Sequence, residues 1–127
     1  MNDERKPGNG SDARNLGRRT TSFALNIIDL YSRLPKTTVA QVLGKQVLRS
    51  GTSIGAQYRE ARRAKSVADF ISKIEGALQE LDETTYWLDL LAESKTVARP
   101  DVATLRDEAD ELISILVASV RTAKRRK

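Results

Sequence analysis

Apolar residues recur along this chain at intervals of three and four, the mark of amphipathic helices. Four such stretches can be read. In the first, residues 20–34, Phe23, Ile27, Leu30 and Leu34 make one face, which Ala24, Ile28 and Tyr31 widen. Pro35 ends it, because proline restricts the residue before it and cannot donate to the turn. The second begins after Pro35, where Thr38 followed by Gln41 fits a capping box. It carries Val39, Leu43, Val47, Ile54, Tyr58 and Ala61. Glycine inside a helix costs about 1 kcal/mol relative to alanine, so residues 50–56 either break the helix or supply small residues that are wanted there. The preferred reading is a continuous helix in which Gly44, Gly51, Gly55 and Ala56 let another backbone approach closely.

The third stretch has the strongest pattern. Ser66 is a good N-cap with Asp69 three residues on. Val67, Ile71, Ile74, Leu78, Leu81, Thr85 and Leu88 then alternate by four and three, as a heptad seam does. Phe70, Ala77, Trp87 and Leu91 add apolar surface beside the seam. One partner helix cannot cover so wide a face, so either this helix is central or part of it faces another subunit. Phe70, Trp87 and Leu91 are the candidates for such an oligomer interface. The fourth stretch follows Pro100, with Asp101 as its cap, Leu105, Ala109, Leu112, Leu116 and Val120 as its seam, and Val102 and Ile113 flanking. Four helices with short links predict an all-α, antiparallel up-and-down four-helix bundle over residues 20–127. Residues 1–19, with Pro7, Gly8, Gly10 and Gly17 and little apolar content, read as a flexible polar tail.

Composition narrows the chemistry. The 127 residues include no cysteine and no histidine. Disulfides, thiolate or imidazole metal sites and every Ser-His or Cys-His nucleophile are thereby excluded. No catalytic residue, metal site or cofactor is assigned, and the chain is expected not to be an enzyme. No apolar run approaches the roughly 20 residues that span a bilayer, and residues 1–19 lack the apolar core of a signal peptide, so a cytoplasmic location is expected and no membrane partner.

The formal charge is +5, from 22 Lys and Arg against 17 Asp and Glu, a balance that favours an anionic partner. The cations are clustered. Arg59, Arg62, Arg63 and Lys65 close the second stretch, and Arg121, Lys124, Arg125, Arg126 and Lys127 close the fourth. Arg18 and Arg19, with Arg14, form a weaker third group ahead of the first. An up-and-down bundle would bring all three to one pole. Guanidinium groups match phosphate oxygens in a two-pronged geometry, so these residues are the candidate nucleic-acid-binding set. Cations at helix C-termini also simply complement the helix dipole. No exposed aromatic platform of the kind single-strand binders use is apparent. Glu80 and Glu83 are read as ion-pair partners of arginines such as Arg59 rather than as a catalytic pair.

The stretch LGKQVLRSGTSIGAQYREA at 43–61 resembles the hallmark of the bacterial four-helix-bundle proteins encoded in 23S rRNA intervening sequences. ADFISK at 68–73, ETTYWL at 83–88 and DEL at 110–112 are similar too, with Gln57 standing where asparagine is expected. The resemblance spans residues 19–124. It implies a helical bundle assembled as a homopentamer with a basic surface, with Tyr58, Arg59, Glu60 and Trp87 as structural anchors. Relatives include the accessory variability protein of diversity-generating retroelements, which binds a reverse transcriptase and nucleic acid. The expected role is a non-enzymatic, oligomeric RNA- or DNA-binding accessory protein that neutralises phosphates with clustered Arg and Lys. The alternative is a homo-oligomeric scaffold that docks a partner enzyme such as a reverse transcriptase.

Overall fold

A computed structural model describes residues 15–126. These residues form four helices: α1 (Leu16–Ser32), α2 (Thr38–Arg62), α3 (Val67–Glu93) and α4 (Arg99–Arg125). None is long and apolar enough to cross a membrane. The helices run alternately up and down. Extensive packing joins α1 to α2, α2 to α3 and α3 to α4, whereas α1 and α4 touch only sparsely. The width of the apolar face on α3 follows from this order, because that helix packs against α2 and α4 at once.

The core is a single cluster drawn from all four helices, with Phe23, Ile27, Ile54, Ile74, Leu81, Leu88, Leu112 and Leu116 among its buried members. α1 starts at Leu16, so residues 16–19 are helical rather than part of the expected tail. The cause is Leu16 itself, which is 3% exposed and anchors that extra turn in the core. The remainder of the expected tail, up to residue 14, lies outside the described residues.

α2 is continuous through its glycines. A Cβ on Gly51 would lie 2.8 Å from Cγ1 of Ile27, and one on Gly44 would lie 2.6 Å from Cδ1 of Leu34. What the small residues admit are therefore side chains of α1 and of the turn after it rather than a bare backbone. This contact also shifts the buried stripe of α2. Ala40, Gly44, Val47, Gly51 and Ile54 face inward, while Val39, expected in the seam, is exposed. Ile28, expected to widen the α1 face, is exposed as well.

Caps set the helix starts. Ser66 accepts from the Asp69 amide at 3.0 Å, as its spacing predicts. For α2 the cap is Thr37, not Thr38; its side chain accepts from the Ala40 amide at 3.2 Å. Gln41 instead reaches back to donate to the Pro35 carbonyl. α4 begins at Arg99, with Pro100 in its first turn and Ala98 as a cap without a side-chain bond. Asp101 sits inside that turn, where a carboxylate favours the positive dipole end.

Candidate functional site

Antiparallel order puts the C-termini of α2 and α4 and the N-termini of α1 and α3 at one pole. The side chains bear this out. Arg62, Lys65, Phe70, Thr122 and Arg126 line one cleft of about 710 Å³, so the ends of α2 and α4 meet across it. A Cβ on Gly17 would lie 3.6 Å from Nη1 of Arg62, so the start of α1 lies beside the end of α2. The expected clusters thus share a pole, with one exception.

The exception is Arg19. Its guanidinium donates to both carboxylate oxygens of Glu108, from Nε at 3.0 Å and Nη2 at 2.7 Å, and Nη2 also donates to Glu111 at 2.9 Å. The side chain is only 16% exposed. The Glu108 hydrogen bond, reinforced by Glu111, holds Arg19 in its charged form above its ordinary range, against the opposing cost of burial. This charge is spent joining α1 to α4 and is not presented to a phosphate.

The other cations differ. Arg18, Arg59, Arg62, Arg63, Lys65, Arg121, Arg125 and Arg126 are exposed. None of them makes an ion pair with another described residue. Lys124 stands 4.0 Å from Glu75, at the limit of an ion pair. Lys127 lies outside the described residues. Glu60 is engaged by Lys73 at 3.1 Å. Glu80 and Glu83 do pair with an arginine, but it is Arg49 rather than Arg59. Arg59 lies about two and a half turns beyond Ser50, which on the same helix already faces Thr84, 2.9 Å away and next to Glu83. Its exposure also argues against a role as a structural anchor. Tyr58 fits that role better: it is half-buried against the core, and burial raises its phenol pKa while neighbouring Arg62 pulls it down.

The three expected interface residues are not one surface. Leu91 is 0% exposed inside the chain's own core and cannot meet a second subunit without opening the bundle. Phe70 and Trp87 are 17 positions apart on α3, or about 25 Å along the helix. Phe70 is at the basic pole, partly buried in the cleft wall. Trp87 is towards the opposite pole, edge-on to Tyr86 with centroids 5.0 Å apart. Its indole Nε1 is buried without a hydrogen-bond acceptor among the described residues.

The cleft is the feature that sequence reasoning missed. Its walls are Ala61, Ala64, Val67, Phe70, Ile115 and Ala118, and Arg62, Lys65 and Arg126 stand among them. The available signal was the small residues near the end of α4, Ala118, Ser119, Thr122 and Ala123, which leave space beside an aromatic ring.

No functionally curated protein matches this chain. Among solved structures, a Bacteroides thetaiotaomicron VPI-5482 protein of unknown function from the S23 ribosomal protein family, determined at 1.70 Å, superposes with a TM-score of 0.78. It is 39% identical in sequence, and the match covers 83% of this chain and 97% of that one. The family model for the 23S rRNA-intervening sequence protein matches residues 15–118, from the start of α1 to well into α4. The chain therefore belongs to the 23S rRNA-intervening sequence protein family.

Proposed function

We propose that this protein is a non-enzymatic, cytoplasmic accessory protein that binds RNA or DNA through phosphate contacts at its basic pole. The carrying observation is that Arg59, Arg62, Arg63 and Lys65, at the end of α2 and in the link after it, share that pole with Arg121, Arg125 and Arg126 at the end of α4, all exposed and without an acidic partner among the described residues. Exposed cations brought together without counter-charges raise the local potential and exchange readily for the counterions of a phosphate backbone. Assembly into a ring, five-fold by family resemblance, would repeat the pole and turn weak contacts into strong ones by multivalency.

The test is a fluorescence-anisotropy titration with structured RNA and duplex DNA at several salt concentrations. Binding that weakens steeply with salt, and that falls when Arg62, Arg63, Arg121, Arg125 and Arg126 are changed to glutamine, supports the reading. Failure to bind either ligand at low salt overturns it.

A second reading, a homo-oligomeric scaffold docking an enzyme such as a reverse transcriptase, is favoured by a different observation. Val39, Val42 and Tyr86 are large exposed hydrophobic side chains, and the buried Nε1 of Trp87 lacks an acceptor among the described residues. Light scattering at micromolar concentration separates the two aspects. A monomer mass removes the oligomer, and a larger mass lowered by Tyr86→Glu assigns this surface to it.

A further inference from the structure

The basic pole is not a plain charged surface, and this has a consequence for which nucleic acid it takes. Its cleft of about 710 Å³ opens between the end of α2, the start of α3 and the end of α4. That volume is in the range of pockets that take small organic groups, roughly 300–1,000 Å³. The lining is mostly apolar, and its one aromatic ring is Phe70, partly exposed to the space. Ala61, Ala64 and Ala118 contribute little bulk, so a flat group can lie against the ring. Arg62, Lys65 and Arg126 line the same space. Hydroxyls of Ser66, Ser119 and Thr122 are also at its wall. Those of Ser66 and Ser119 are already engaged with the Asp69 amide and the Ile115 carbonyl.

We infer that this cleft receives an unstacked nucleobase from a single-stranded segment, stacked on Phe70, while Arg62, Lys65 and Arg126 hold the flanking phosphates. Two properties of the site jointly select this occupant. Its mostly apolar lining with the Phe70 ring suits an apolar, planar group, and the three cations in that lining suit anionic charge beside that group. A nucleotide with its base free carries both. A duplex keeps its bases stacked inside and offers those cations phosphates alone, whereas single-stranded loops and ends present faces that aromatic side chains can take. The inference rests on the phosphate-binding reading and sharpens it from nucleic acid in general to single strands.

The experiment uses the full chain and two labelled probes, a single-stranded oligonucleotide and the duplex of the same sequence, titrated by anisotropy at low salt. Phe70→Leu keeps the apolar wall and removes the ring. Ala118→Met fills the cleft from an exposed position on α4, so the fold is not at stake. Thermal melts confirm that each variant is folded. The expected result is a loss of about 5- to 150-fold in single-strand affinity for both variants, the range of one base–aromatic stack, with duplex affinity unchanged. Equal single-strand affinity in wild type and both variants overturns the inference. If salt-sensitive binding to both probes persists in that case, the phosphate reading survives without it. No binding of either probe removes both. An acidic, leucine-containing peptide that binds and is blocked by Ala118→Met, while the oligonucleotide is indifferent to that change, assigns the cleft to a protein segment and also overturns the inference.

Discussion

Arg19 grips Glu108 with both arms of its guanidinium, Nε at 3.0 Å and Nη2 at 2.7 Å. The pair spans α1 and α4, two helices that otherwise barely touch. A lysine cannot reproduce a two-pronged contact, so Arg19→Lys should cost stability as well as Arg19→Ala. Both side chains keep some solvent contact, which limits the loss to about 1 kcal/mol. A double-mutant cycle with Glu108→Ala by chemical denaturation should give a coupling of the same size. Oligonucleotide affinity should be unchanged by Arg19→Ala, in contrast to Arg62 and Arg63.

The glycines of the α1–α2 contact and of the α1 start should respond in opposite directions. Gly51→Ala puts a methyl 2.8 Å from Ile27 in a buried position. Overpacking of about 1–3 kcal/mol outweighs the roughly 1 kcal/mol of gained helix propensity, so its melting temperature should fall. At Gly17 the added Cβ finds its nearest neighbour at 3.6 Å, ordinary contact distance. Gly17→Ala should raise the melting temperature.

Lys95, two residues past the end of α3, is in the left-handed conformation, with φ of 62°. The amides of Thr96 and Lys95 donate back to the carbonyls of Leu91 and Ala92, the bonding pattern usually built on glycine. Lys95→Gly relieves the Cβ strain and should stabilise the protein by about 1 kcal/mol in urea denaturation. Lys95→Val should do the reverse.

Burial holds the Tyr58 phenol above its ordinary pKa of about 10, although Arg62 opposes the shift. A folded-state pKa above the unfolded one means that the native state keeps its proton longer. The associated stability is fully present below about pH 10 and is lost as pH rises through the raised value. Absorbance at 295 nm, taken as the difference between wild type and Tyr58→Phe, should show a late-ionising phenol. Arg62→Ala should move it later still.

The helices and their order are legible because packing follows the three-and-four spacing, and Pro35 and Ser66 mark two of the boundaries. What sequence leaves open is which of two adjacent stripes turns inward. On α2 the inward stripe is the small one, since Gly44 and Gly51 admit α1 so closely that the larger Val39 is displaced to the surface. The gathering of cations at one pole follows from helix order alone. The partner of each charge does not: Arg19 and Arg62 are alike on paper, and only the position of Glu108 across an open seam separates them. The cleft is hidden for the same reason, because its walls come from three helix ends distant in the chain.

The sparse seam between α1 and α4 bears on how the molecule forms. Every extensive interface here joins helices that are consecutive in sequence. The chain can grow its core by adding each helix to the hairpin before it, without first closing a loop between its two ends. Such local wiring belongs to the fastest class of folders, on the microsecond to millisecond scale. Arg19 and Glu108 are then the last pair to meet, so their exchange for alanine should speed unfolding and leave the folding rate almost untouched.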